Sequence, residues 1–200
     1  MNATHLFEKP FREFHNSESW WSAFFSLFLL EEAQSAAPRS LPIWRYSHRD
    51  RYWKIGEFAC TEAKFANLTV EASLCGLPFT LASWPQEYRS LKIDLVLIRD
   101  RHVTLIETKT IGASIAKNVL LYVGIAEHLR SQGREVELYH LISYGHETVN
   151  DLDWRLISEH RLTFLLWEDV FRCAASTATG RALGVDLTQY AELPMDAGAA

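Results

Sequence analysis

The chain of 200 residues is 48% hydrophobic, 12% aromatic and 22% charged, and its formal net charge is −5. This balance predicts one globular domain with a buried core, excludes fibrous and disordered chains, and gives no overall attraction to nucleic acid. The three cysteines, Cys60, Cys75 and Cys173, have no CxxC spacing, which argues against a zinc finger or a disulfide framework and favours a reducing cytoplasm.

The first predicted element is an aromatic helix that Asn16 or Ser17 caps and that runs to about residue 34. Its most apolar stretch, residues 20–30, is eleven residues long, whereas a membrane helix needs about 20, so we expect a soluble protein without a membrane span. Acidic residues flank this stretch on both sides, which argues against a signal peptide. Because the helix is apolar nearly all round, we expect it to be buried or to form a homodimer contact.

Residues 39–54 form a local basic and aromatic segment on an otherwise acidic chain. They include five Arg or Lys residues and one acid. Such a segment can hold a phosphate backbone, and its candidate nucleic-acid-binding residues are Arg45, Arg49, Arg51 and Lys54. The alternative is a solvated linker that its aromatic residues anchor.

The remaining elements are predicted from hydrophobic periodicity and from stop signals. A helix at 56–75 is followed by strands at 79–84, 91–98 and 103–109, a helix at 113–131, strands at 136–142 and 162–167, and a short helix at 168–175. This order predicts an α/β fold in which helices flank a central mixed β-sheet. We divide the chain into an N-terminal helical and basic extension (1–54), a core (55–175) and a C-terminal segment with a frayed tail (176–200).

The hairpin formed by the strands at 91–98 and 103–109 carries a carboxylate on each strand. If its turn is centred on residues 100 and 101, paired residue numbers sum to 201, and Asp94 lies opposite Glu107. Directly opposed like charges are destabilising unless a cation compensates them, and hard oxygen ligands suit Mg²⁺ or Mn²⁺. Lys109 shares the face of Glu107 and could orient a water or stabilise a phosphate. The alternative is a solvated face with ordinary salt bridges to Lys92 and Lys109.

Glu62 is the candidate for a third acid at this site. On a 3.6-residue period it falls within the apolar stripe of the predicted helix at 56–75, so its side chain is expected to point into the protein. A shorter or rotated helix would instead leave Glu62 on the surface. Glu57, on the other side of that helix, and Glu18, which helix capping explains well, remain rival candidates.

With Asp94, twelve further residues and then Glu107-Thr-Lys109, the sequence resembles the PD-(D/E)xK nuclease superfamily. The resemblance covers about residues 56–170, and it implies a restriction-endonuclease-like αβββαβ core. An acid-bearing helix before the motif and an amphipathic helix after it match the pattern of the superfamily. The proline of the family name is absent, because Ile93 precedes Asp94.

The resemblance also implies roles for the motif residues. Asp94 and Glu107 would bind a catalytic Mg²⁺, for which Mn²⁺ could substitute, and Lys109 would position or activate the attacking water. Glu62 and the backbone carbonyl of Thr108 would complete the metal shell.

The helix after the motif often carries a polar residue that faces the site in such nucleases. Here Lys117 or Asn118 would take that place, although Gln is more usual. We therefore expect a cytoplasmic, metal-dependent nuclease, with a DNA endonuclease favoured over one that acts on RNA. The alternative is a catalytically silent module of the nuclease fold that binds nucleic acid or protein.

Overall fold

The computed structural model describes residues 18–45, 48–54, 60–64, 92–99, 101–109, 118–142 and 151–182. The strands in these ranges are β1 (Ser40–Arg45), β2 (His48–Lys54), β3 (Cys60–Lys64), β4 (Lys92–Arg99), β5 (His102–Thr108), β6 (Glu135–Ile142) and β7 (Thr163–Leu166). The helices are α1 (Glu18–Ala33), α2 (Val119–Ser131), α3 (Asp151–His160), α4 (Trp167–Ala174) and α5 (Ala178–Ala182). None of these helices is long and apolar enough to cross a membrane.

The strands form one mixed sheet in the order β2-β1-β7-β6-β5-β4-β3. Strands β5, β6 and β7 run parallel to one another, and the other neighbouring strands are antiparallel. Parallel neighbours need a crossover connection, and α2 and α3 lie in the two connections that β5, β6 and β7 require. The predicted α/β class, with a central mixed sheet flanked by helices, is confirmed.

Apolar side chains cover both faces of the central strands. Along β4, Leu95 and Leu97 belong to a cluster with α1 and α4, whereas Val96 and Ile98 belong to a cluster with α2. This alternation follows from the two-residue period of a strand. Strand β5 is buried from Val103 to its end, as is typical of a strand that helices cover on both sides.

Helix α1 contributes to the core of the sheet. Phe25 and Phe28 are fully buried beside the aromatic residues of α4, so the burial expected for this helix is observed. Glu31 joins α1 to α5, because its carboxylate accepts hydrogen bonds from the N–H groups of Ala178 (2.6 Å) and Thr179 (2.7 Å). These hydrogen bonds therefore hold α5 against α1.

Most of the elements predicted from periodicity are present with shifted ends. The aromatic helix corresponds to α1, the strands at 91–98, 103–109, 136–142 and 162–167 to β4, β5, β6 and β7, and the helices at 113–131 and 168–175 to α2 and α4. The sequence pattern did not predict β1, β2, α3 or α5. The basic segment at 39–54 is thus largely a β-hairpin rather than a linker. Its first strand, β1, pairs with β7, which makes the hairpin part of the sheet.

The helix predicted at 56–75 is wrong where it can be compared with the structure. Residues 60–64 form strand β3, which pairs with β4 in the register Thr61↔Leu95 and Ala63↔Ile93. The 3.6-residue stripe was a local signal, and pairing with a distant strand overrode it. The predicted strand at 79–84 and the tail at 191–200 lie outside the described residues.

Candidate active site

The β4–β5 hairpin has the register that its turn predicted. Leu95 pairs with Ile106 and Val96 with Leu105, so paired residue numbers sum to 201 as expected. Continued by one residue, this register sets Asp94 opposite Glu107 on the same face of the sheet. The hairpin therefore brings the two predicted carboxylates together.

Lys109 lies at the same end of the sheet, directly after β5. Lys109 and Glu107 are 2% and 3% exposed, and the Lys109 ammonium group forms an ion pair with Oε1 of Glu107. The Lys109 backbone is also held, because its N–H donates to the carbonyl of Leu141 (2.9 Å) and its carbonyl accepts from Nε1 of Trp167 (3.1 Å). The predicted catalytic lysine is thus a buried side chain on an anchored stretch of chain.

Three hydrogen bonds orient Asp94. The N–H and the hydroxyl group of Thr108 both donate to Oδ2 of Asp94, at 2.8 and 3.1 Å. The Asp94 backbone N–H donates to the hydroxyl group of Tyr122, on α2, at 3.1 Å. Thr108, expected to act through its carbonyl, therefore also positions the Asp94 carboxylate, and Tyr122 supports the Asp94 backbone from α2.

Burial and like charge perturb the ionisable groups of this cluster. Burial, followed by the negative charge of Glu107, raises the pKa of Asp94 from 3.8 to about 7, and the hydrogen bonds from Thr108 oppose this rise only in part. Burial, followed by the charges of Glu107 and Asp94, also raises the pKa of Tyr122 well above 10. The two carboxylates thus lie close enough that a cation would relieve their repulsion.

His140 is a neighbour of this cluster that sequence reasoning did not single out. It pairs with Glu107 in the parallel β5–β6 register, it is fully buried, and its ring lies 6.1 Å from that of Phe164. Neither ring nitrogen has a hydrogen-bond partner among the described residues, and burial lowers the pKa of His140 to about 4. The sequence feature that could have identified His140 is a histidine in the otherwise apolar second half of a parallel strand.

Helix α2 begins beside the carboxylates. Asn118 is its N-cap residue, in the left-handed region at φ 69°, and its Nδ2 lies 3.5 Å from Oε1 of Glu107. Asn118 therefore lies next to Glu107, and the N–O distance is at the upper limit for a hydrogen bond. Lys117, the other candidate, lies outside the described residues.

Glu62, the candidate third acid, lies on a different kind of element from the one predicted. Glu62 lies on strand β3 rather than on a helix, between the pairs Thr61↔Leu95 and Ala63↔Ile93, so its backbone is level with Asp94 across the sheet. Of the rival candidates, Glu57 lies outside the described residues, and Glu18 is the first residue of α1.

The basic candidates lie on strands β1 and β2, towards the edge of the sheet that is remote from the carboxylates. Strand β2 is four strand spacings from β5, or roughly 19 Å. Arg49 donates to the hydroxyl group of Tyr52 (2.8 Å) and lies over its ring, whereas Arg51 forms a 3.1 Å ion pair with Glu137 of β6. Arg45, at the end of β1, is exposed, and Lys54 is the last residue of β2. The structure therefore does not bring these four residues together with the predicted catalytic cluster.

The donor atoms of the cluster match a hard divalent cation. Asp94 and Glu107 supply carboxylate oxygens, and these are the ligands that Mg²⁺ and Mn²⁺ prefer. In the part of the chain that the structure describes, no three His, Cys, Asp or Glu side chains are grouped closely enough to hold a metal ion. The described side chains of the cluster thus offer two carboxylates, those of Asp94 and Glu107.

Comparisons with protein-family models, curated proteins and solved structures find no match for this chain. The resemblance to the PD-(D/E)xK nucleases therefore depends on the motif and on its geometry. Asp94, Glu107 and Lys109 are the residues that carry it.

Proposed function

We propose that the protein is a metal-dependent nuclease that hydrolyses phosphodiester bonds, with DNA as the favoured substrate and a restriction-endonuclease-like core as its fold. One observation carries the proposal: Lys109 and Glu107 form a buried ion pair beside a second carboxylate, Asp94, at the carboxyl end of a parallel strand. Binding sites of α/β sheets commonly lie beyond this end of the strands.

A purely structural salt bridge explains this cluster poorly. Lys109 needs only one carboxylate for charge balance, yet Asp94 and Glu107 are both present in an otherwise apolar part of the sheet. Buried charges are costly unless they are paired, and burial, followed by the charge of Glu107, raises the pKa of Asp94 to about 7, so its ionised form is disfavoured in the free protein. A divalent cation would supply the missing positive charge.

Each residue of the cluster has a separate role in the proposed reaction. Asp94 and Glu107 would hold Mg²⁺ or Mn²⁺, which supplies a bound water of lowered pKa and neutralises charge on the scissile phosphate. Thr108 fixes the direction of the Asp94 carboxylate through its two hydrogen bonds. Lys109 would orient the attacking water or stabilise the charge that develops on phosphate oxygens. Asn118 offers an amide donor at the first turn of α2.

A catalytically silent module of the same fold is the second candidate. It is favoured by the self-contained hydrogen bonding of the free cluster: the Lys109 ammonium is engaged by Glu107, and Oδ2 of Asp94 already accepts two hydrogen bonds. In this case the carboxylates would be a structural remnant, and the protein would bind its partner elsewhere.

Cleavage assays separate the two candidates. Supercoiled plasmid, single-stranded DNA and single-stranded RNA are incubated with Mg²⁺ or Mn²⁺ and with wild type, Asp94→Asn, Lys109→Met or the control Glu159→Gln. Glu159 is exposed and pairs with Arg155 on α3, so its substitution removes one carboxylate charge away from the cluster. The nuclease proposal requires metal-dependent cleavage by wild type and Glu159→Gln, and its loss in the two site variants. No cleavage of any substrate by wild type with either metal would contradict it.

A homodimer through α1 stays a prediction. Leu27 and Leu30 of this helix are 56% and 39% exposed, whereas its buried phenylalanines face the protein's own core. Sedimentation equilibrium of wild type and Leu27→Glu tests this prediction. A dimer that the substitution dissociates would support it, and a wild-type monomer at all accessible concentrations would refute it.

A further inference from the structure

The peptide groups on both sides of the Lys109 α-carbon are held by different parts of the fold. The N–H of Lys109 donates to Leu141 on the neighbouring strand β6 at 2.9 Å. Its carbonyl accepts from the indole N–H of Trp167, the first residue of α4, at 3.1 Å. The first bond belongs to the sheet, but the second comes from a single side chain.

The indole group of Trp167 is itself held by aromatic packing. Trp167 is 4% exposed. Its ring makes an edge-to-face contact with Phe25 of α1 at 5.8 Å and stacks on Phe171 of α4 at 5.8 Å. Such aromatic pairs have preferred geometries, so the direction of the indole N–H is set by α1 and α4 together.

The orientation of the Lys109 peptide matters because the lysine side chain is buried. Its ammonium group forms an ion pair with Glu107, two residues back, and it is 2% exposed, so few side-chain conformations are open to it. A carbonyl that loses its donor in a buried place is destabilised, and the chain would rotate to find another partner. Such a rotation would displace the ammonium group relative to Asp94 and Glu107.

We propose that Trp167 is a positioning residue for Lys109, because its indole N–H fixes the Lys109 peptide. Through the contact between Phe25 and Trp167, helix α1 helps to hold the indole in this orientation. The structural half of this inference concerns the free protein alone. The kinetic half rests on the proposed nuclease function, because a misplacement of about 1 Å in a catalytic group can reduce the rate by about 100-fold.

Trp167→Phe tests the inference, because it keeps an aromatic ring and removes the N–H donor. Trp44→Phe is a matched control: Trp44 Nε1, on β1, donates to Oδ2 of Asp169, on α4, at 2.8 Å, so this variant also loses one indole hydrogen bond at α4 but none at Lys109. The first measurement is hydrogen exchange of the Lys109 amide by NMR, relative to the amides of the preceding strand β5. A general loss of stability accelerates the whole strand, whereas a local release accelerates Lys109 selectively.

We expect Trp167→Phe to raise the exchange rate of the Lys109 amide relative to the amides of β5 by about 10-fold or more, which corresponds to the loss of one hydrogen bond. Trp44→Phe should leave this ratio unchanged. In cleavage kinetics, Trp167→Phe should lower kcat by about 10-fold to 100-fold and leave KM for DNA within about twofold. A purely structural role would leave kcat per folded molecule unchanged.

The outcomes distinguish this inference from the proposed function. An unchanged exchange ratio in Trp167→Phe overturns the inference, whatever the activity. If the exchange ratio of Trp167→Phe is raised but its kcat equals that of wild type, the positioning of Lys109 by Trp167 does not contribute to catalysis. A raised ratio in a protein whose wild type cleaves nothing supports the structural half and contradicts the nuclease proposal.

Discussion

In the metal-free protein, Asp94 should make stability fall as pH rises. Burial and the charge of Glu107 raise its pKa from 3.8 to about 7. Between these two values the folded state holds a proton that the unfolded state has lost, so the free energy of unfolding decreases as pH rises through this window. At about 1.4 kcal/mol per pH unit, the rise in pKa corresponds to at most about 4 kcal/mol.

Asp94→Asn removes this titration with little change of shape. Both hydrogen bonds from Thr108 go to one oxygen, Oδ2, and the amide oxygen of Asn can accept both. We therefore expect the variant to be about 2 to 4 kcal/mol more stable than wild type at pH 8 in chelator, and the difference to vanish near pH 4. The burial of His140 has the opposite effect, since its lowered pKa makes stability fall as pH decreases below 6.5, but it is common to both proteins.

Urea denaturation followed by circular dichroism between pH 4 and 8 provides the measurement, with Glu159→Gln as the control for loss of an exposed carboxylate. The informative quantity is the difference in unfolding free energy between wild type and Asp94→Asn at each pH. If this difference stays constant across the range, the carboxylate is not buried beside Glu107 as the structure has it, and the charge argument for a metal site fails with it.

Metal binding, the buried histidine and two glycines give three further predictions. Mg²⁺ or Mn²⁺ should raise the melting temperature of wild type at pH 8 and not that of Asp94→Asn, as measured by differential scanning fluorimetry, and equal shifts would contradict metal binding by Asp94. His140→Leu should raise the unfolding free energy by about 1 to 3 kcal/mol in urea titrations, because it removes buried nitrogens that have no partner among the described residues; a destabilised variant would show that the imidazole is bonded. Gly180→Ala should lower the melting temperature clearly, because an added Cβ would lie 2.0 Å from the carbonyl oxygen of Ala174, whereas Gly133→Ala meets no atom within 4 Å and should cost only about 1 kcal/mol for its positive φ.

The sequence alone was sufficient for the central hairpin and for the residues it brings together. A strand has a period of two, and a short charged turn leaves few registers, so residue numbers alone set Asp94 opposite Glu107 and place Lys109 on the same face. Helix α2 and strand β6 were equally predictable, because each has a sustained apolar period. Gly133 marks the boundary between the two elements.

Tertiary structure decided the features that depend on distant partners. Residues 56–75 carry a helical stripe, yet residues 60–64 form β3, which pairs with the distant strand β4. The position of His140 beside Glu107 and the bond from Trp167 to Lys109 join residues 33 and 58 positions apart. No local period encodes such contacts, because they arise only when the crossover connections return the chain to the sheet and set one strand end beside another.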